Sequence, residues 1–285
     1  MTEISTVFVE GTPRLALDRA GSGPLVLFLH GIGGNRSNWT AQIEALCDSF
    51  HAVAWDARGY GESDDYEGKL DFGDFARDAL RVLDRFGAET AHFVGLSMGG
   101  RIAQDFCARY PDRVATLVLC DTMSDFRDSM TPEKRAEFIR LRQAPLKAGK
   151  EPRDIADALV DSLAGPGADE PARRRLWDSI AALHKESYLK TIEASLSFDR
   201  SAEIDRISVP TLLIYGEHDR LTPPSIGEAL HRRIAGSELA VIEDAGHLSN
   251  IERPEAFNAA LLAFLSKHRD RAVARRTESA GRTAE

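Results

Sequence analysis

Short continuous apolar runs alternate with stretches whose apolar residues recur every three to four positions through the first 120 or so residues. The runs at 25–29, 52–55, 91–94 and 114–119 read as strands buried on both faces, and the periodic stretches at 39–47, 75–86 and 102–110 as amphipathic helices. That alternation predicts a mostly parallel sheet flanked by helices. Segments 6–10 and 14–18 alternate more weakly around Gly11-Thr12-Pro13 and predict an antiparallel hairpin at the sheet edge. After Asp121 the pattern breaks. Residues 123–203 hold only helical patterns, at 132–146, 153–163, 171–184 and 188–198, punctuated by Gly149, Pro152 and Gly165-Pro166-Gly167. So long an insertion is not an unstructured loop, which predicts a helical cap. Strand and helix then resume at 211–215, 224–234, 239–242 and 254–265. The expected organisation is therefore an α/β core of 1–122 and 204–266 with eight strands, a cap of 123–203, and a disordered tail of 267–285, which is charged and aperiodic.

Composition narrows the function class. With 285 residues and 43% hydrophobic content the chain can bury a substantial core. A formal net charge of −9 argues against nucleic acid or an anionic membrane as partner. The start, Met1-Thr2-Glu3-Ile4-Ser5, has no signal-peptide pattern and no long apolar segment follows, so a soluble cytoplasmic protein is expected. Cys47, Cys107 and Cys120 are odd in number and set in apolar-periodic segments, so neither a disulfide nor a metal site is expected.

The chemistry starts at Gly95-Leu96-Ser97-Met98-Gly99, between a strand and a helix. A turn this sharp strains its central residue and lifts its side chain above the sheet edge, so the flanking positions must be small. Serine is a weak nucleophile and needs a base plus a third group to orient that base. His247 follows the last strand and Asp219 the one before it, which puts both at the carboxyl edge of the sheet in the order Ser, Asp, His. Asp121, at the end of the 114–119 strand, is a rival acid. Oxyanion donors are expected from the Met98 N–H and from His30-Gly31-Ile32-Gly33-Gly34, with Ile32 preferred over Gly33. This glycine loop lacks the pattern and lysine of a phosphate cradle, so no cofactor is expected.

The ordered set His30 to Gly34, Asp56-Ala57-Arg58-Gly59-Tyr60-Gly61-Glu62-Ser63, Gly95 to Gly100, Gly216-Glu217-His218-Asp219 and Gly246-His247 resembles the α/β-hydrolase superfamily across nearly the whole chain. Within it, Gly95 to Gly100, Pro210-Thr211-Leu212-Leu213-Ile214, Thr222-Pro223-Pro224 and His247-Leu248-Ser249-Asn250-Ile251-Glu252 are most similar to 3-oxoadipate enol-lactonases. That group commonly carries a Ser-Leu-Gly type oxyanion loop, from which His30-Gly31-Ile32-Gly33 departs, so a broader carboxylesterase stays open. The resemblance implies a serine hydrolase of a small-molecule ester or lactone. The alternatives are a hydrolase of carbon–carbon bonds in ring-cleavage products, a cofactor-free perhydrolase or haloperoxidase, and a non-enzymatic ligand receptor. A serine at the elbow disfavours haloalkane dehalogenases and epoxide hydrolases, which place aspartate there. Loop 56–63 reads as structural; Trp177, Leu183, Tyr188 and Phe198 read as cap core more readily than pocket lining, and Arg173-Arg174-Arg175 as a solvated run. A homo-oligomer is left open.

Overall fold

Eight strands form one sheet: β1 (Ser5–Val9), β2 (Leu15–Ala20), β3 (Leu25–Leu29), β4 (His51–Trp55), β5 (Ala91–Leu96), β6 (Val114–Cys120), β7 (Thr211–Gly216) and β8 (Glu238–Ile242). They are ordered β1-β2-β4-β3-β5-β6-β7-β8 in the computed structural model, which describes residues 3–125 and 131–274. β1 and β2 make the expected hairpin, with Val7 opposite Leu17, and β2 also pairs antiparallel with β4. Every other pairing is parallel. Every residue of β3, β5, β6 and β7 is buried, the physical reason these segments lack polar alternation.

The helices of the sheet are α1 (Thr40–Leu46), α2 (Gly73–Arg85) and α3 (Met98–Arg109), followed later in the chain by those after β7. Side-chain alternation along β3 fixes the layers. Leu27 is in register with Phe93, whose ring lies 4.4 Å from Phe106 of α3. Phe28 points the other way and lies 5.0 Å from Trp39, which in turn meets Phe257 in the C-terminal helix. α3 and the C-terminal helix thus cover opposite faces.

Between β6 and β7 the described chain has no strand in the sheet; it forms α4 (Pro132–Lys147), α5 (Ala156–Leu163), α6 (Glu170–Ala181) and α7 (Lys185–Ser197). A 3-10 turn at Pro152–Ile155 occupies the start of the segment expected to be helical from 153. After β7 come α8 (Pro224–Arg233), α9 (Ser249–Glu252) and α10 (Pro254–Lys267). Residues 267–274, expected to belong to a disordered tail, are ordered. The Glu89 and Thr90 N–H groups donate to the Val273 carbonyl at 2.8 and 3.1 Å, and Ala272 is buried, so residues 267–274 are docked on the core. Residues 275–285 lie outside the described part of the chain. Among the described residues no helix is long and apolar enough to cross a membrane.

Candidate active site

Ser97 joins β5 to α3 with φ 55° and ψ −113°, a conformation that L residues rarely adopt. The turn closes so tightly that a Cβ on Gly95 would lie 2.3 Å from the Gly99 carbonyl oxygen, and one on Gly99 would lie 2.0 Å from that of Leu29. Both glycines are therefore steric requirements of the elbow. Its backbone is pinned by the Ser97 N–H donating to the Cys120 carbonyl at 2.8 Å and by Thr122 Oγ1 donating to the Ser97 carbonyl at 2.6 Å.

The loops after β7 and β8 bring Asp219 and His247 to this edge. His247 Nε2 lies 3.0 Å from Ser97 Oγ and its Nδ1 2.8 Å from Asp219 Oδ2. With a carboxylate on Nδ1, that nitrogen carries the proton and Nε2 is left to accept from the serine hydroxyl. Both His247 and Asp219 are only 3% exposed. Burial pulls the His247 pKa down, but the Asp219 charge and hydrogen bond outweigh it, and the net shift from 6.5 is upward. Burial likewise opposes ionisation of Asp219, yet His247, Thr222 and their hydrogen bonds hold its pKa below 3.8.

Asp121, the rival acid, is buried close by without a hydrogen bond to His247. Its Oδ1 accepts from the Gly216 N–H at 2.7 Å and its Oδ2 from Ser249 Oγ at 2.6 Å, so it ties β6 to the two loops that carry Asp219 and His247. Burial and the neighbouring Asp219 charge push its pKa well above the ordinary value.

Sequence reasoning missed two supports. Thr222 Oγ1 donates to Asp219 Oδ2, and the N–H groups of Leu221 and Thr222 donate to Asp219 Oδ1 at 2.8 and 3.0 Å. Glu252 is buried; its Oε2 accepts from the Gly165 and Gly246 N–H groups and its Oε1 from that of Leu248, at 2.8, 3.0 and 3.2 Å. It clamps the loop on both sides of His247. Thr222-Pro223-Pro224 was visible as a motif; the inward turn of Glu252 had no local signal.

Beside the elbow, His30 shapes the glycine loop. Its Nε2 accepts from the Ala57 N–H at 3.0 Å, which leaves Nδ1 as the donor to the Gly31 carbonyl at 2.8 Å, and burial lowers its pKa from 6.5. The same carbonyl takes the Gly33 and Gly34 N–H groups, each at 3.1 Å. Gly33 is thereby committed, whereas the Ile32 N–H has no acceptor among the described residues. Met98 opens α3, so its N–H has no intrahelical acceptor. Loop 56–63 is braced by Asp56, which accepts from the Glu62 N–H within the loop and from the Arg36 N–H outside it, both at 2.8 Å.

A pocket of about 740 Å³, mouth included, lies over these groups. Ser97, His247, Ile32 and Thr222 line its floor, and apolar side chains of the inserted helices, Leu159, Leu163, Leu176 and Ile180, line much of the rest. Of the four inserted aromatic or aliphatic candidates, Tyr188 reaches the pocket; Leu183 and Phe198 are buried elsewhere, and Trp177 lies on a separate surface groove. Arg173 pairs with Asp161 and Arg174 with Asp178, away from the pocket, as the solvated-run reading expects.

Residues 24–254 match the family model described as alpha/beta hydrolase fold. The chain belongs to the α/β-hydrolase family. This α/β-hydrolase is 30% identical over 247 residues to 3-oxoadipate enol-lactonase 2 of Acinetobacter baylyi, covering 86% of this chain and 89% of that protein. It is 29% identical over 278 residues to a 2-hydroxy-6-oxononadienedioate/2-hydroxy-6-oxononatrienedioate hydrolase of Klebsiella pneumoniae, covering 90% and 92%. Among solved structures it superposes on a thermophilic esterase from Thermogutta terrifontis (malate bound) with a TM-score of 0.83 and 30% identity, over 94% of this chain and 99% of that one. Its relatives are hydrolases, and so is the class of reaction it belongs to.

Proposed function

We propose that this α/β-hydrolase cleaves small carboxylic esters or lactones through an acyl-enzyme on Ser97. The observation that carries the reading is the position of His247, 3.0 Å from Ser97 Oγ on one side and 2.8 Å from Asp219 Oδ2 on the other, inside a mostly apolar pocket. Ser97 Oγ attacks the carbonyl carbon as its proton passes to His247 Nε2, and Asp219 stabilises the imidazolium. The Ile32 and Met98 N–H groups receive the oxyanion. Collapse of the tetrahedral species expels the alkoxide, which takes the proton from His247; in a lactone the alcohol stays tethered to the acyl group. Water, deprotonated by His247, then attacks the acyl-enzyme and frees Ser97. The helices of 123–203 act as the cap that shapes the acyl pocket. The esterase and enol-lactonase relatives favour ester or lactone cleavage. The Klebsiella relative keeps carbon–carbon hydrolysis as the second reading.

One panel separates them: p-nitrophenyl esters of rising chain length, small lactones including an enol-lactone carboxylate, and a vinylogous 1,5-diketone. Ester or lactone turnover should dominate and fall by at least about a thousandfold in Ser97→Ala. Turnover of the diketone alone, or retained ester turnover in Ser97→Ala, overturns the reading.

A further inference from the structure

Arg142 occupies an unusual place. The buried positions of α4 are Phe138, Arg142, Gln143 and Leu146; Phe138, Arg142 and Leu146 are spaced i, i+4, i+8, so an arginine stands between two apolar residues of one inward stripe. Arg142 is 6% exposed and lines the same pocket as Ser97 and His247. Its guanidinium carbon sits over the Phe138 ring, 4.1 Å from the centroid, a cation–π contact that takes up none of its N–H donors. Among the described residues Arg142 has no hydrogen-bond acceptor and no ion-pair partner. Burial lowers its pKa, with the Tyr188 hydroxyl offsetting part of the effect. Arg101, the other arginine on the pocket wall, is different: it donates to the Ser195 carbonyl at 3.0 Å and faces the charge of Asp125.

A buried cation without a counter-charge is costly, and in a folded protein it is ordinarily paired. We infer that Arg142 receives a carboxylate of the substrate, so that the preferred substrates are esters or lactones carrying a second, free carboxylate. The planar guanidinium fork suits a planar, singly charged anion, which can accept two parallel N–H bonds. With Arg101 facing Asp125, the positive charge of Arg142 is left to match one negative charge on the ligand. The inference rests on the ester or lactone reading for the reaction, but the anion site itself does not need turnover.

Two measurements test it. The first is the ratio of kcat/KM for the mono-p-nitrophenyl ester of glutaric acid to that for p-nitrophenyl butyrate, in the wild type and in Arg142→Met. Damage common to both substrates cancels in this ratio. The wild type should favour the acidic ester, and the ratio should drop by about a hundredfold in Arg142→Met. An unchanged ratio overturns the assignment. The second is calorimetric binding of glutarate to Ser97→Ala, with and without Arg142→Met. Binding that needs Arg142 supports the site even if no ester is turned over, in which case only the hydrolase reading falls; equal binding in both variants overturns the site even if ester hydrolysis stands. Arg142→Met should also unfold at or above the wild-type temperature, whereas a structural arginine would lower it.

Discussion

Thr222 Oγ1 donates its hydrogen bond to Asp219 Oδ2, the same oxygen that faces His247 Nδ1. One carboxylate oxygen therefore carries two donors, and two backbone N–H groups hold the other. This set keeps Asp219 ionised despite nearly complete burial and fixes the direction of its lone pairs toward the imidazole.

Thr222→Val removes the hydroxyl at nearly constant volume and leaves both backbone donors. Asp219 should become easier to protonate and less well aimed. A loss of about tenfold in kcat on a p-nitrophenyl ester is expected, with KM moved less. Steady-state kinetics alongside thermal unfolding checks this; an unchanged kcat would mean the bond does not matter to the chemistry.

The pH dependence follows from the direction of the shifts. Only neutral His247 accepts a proton, and its pKa lies above 6.5, so kcat/KM should fall on the acid side with a midpoint above that value. In stability the signs are opposite for the two partners. His247, with a folded pKa above its unfolded one, adds stability that is full below about 6.5 and is lost as pH rises through the folded value. Asp219, with a depressed pKa, adds stability above about 3.8 that is lost as pH falls through its folded value. The stability difference between wild type and His247→Gln, from denaturant titrations between pH 5 and 9, should shrink as pH rises.

Ile32 and Gly33 are adjacent but differ in what their N–H groups do. Gly33 donates to the Gly31 carbonyl and the Ile32 N–H has no acceptor among the described residues, so the proposed mechanism gives the oxyanion to Ile32. Ile32→Pro deletes that donor and Ile32→Ala keeps it while trimming the same side chain. The expected loss in kcat for the proline variant exceeds that of the alanine variant by about a hundredfold to a thousandfold. Comparable losses in the two variants would point to the side chain instead.

The layout of this molecule was legible where burial imposes a simple pattern. Leu25 to Leu29 and Thr211 to Tyr215 are covered on both faces, and their apolar runs say so; β8 was also found, although Val241 is 45% exposed on that edge strand. Helix starts were less visible. α3 begins at Met98, not 102, because Gly99 and Gly100 interrupt the apolar period while being required by the elbow. The pairing of Ser97, Asp219 and His247 could be anticipated from their places after successive strands. What the sequence could not convey was which charged residues turn inward. Arg135, Arg140 and Arg142 share one helix and look alike, and only the spacing from Phe138 to Leu146 hints that Arg142 joins the buried stripe. Glu252 likewise sits in a polar run, and its three backbone donors come from segments far apart in sequence or folded back upon it. The docking of residues 267–274 was missed because much of it is made by the segment's own backbone groups, the Arg271 and Val273 carbonyls and the Val273 N–H, which leave no trace in side-chain pattern.

The central claim is that Ser97 is the residue acylated. Intact-protein mass spectrometry after treatment with a fluorophosphonate tests it most directly, with wild type, Asp219→Asn and Ser97→Ala compared under one condition. One adduct per wild-type chain is expected, located on the peptide containing Ser97, with much slower labelling of Asp219→Asn and none in Ser97→Ala. Equal labelling of Ser97→Ala, or an adduct located on another residue, would contradict it.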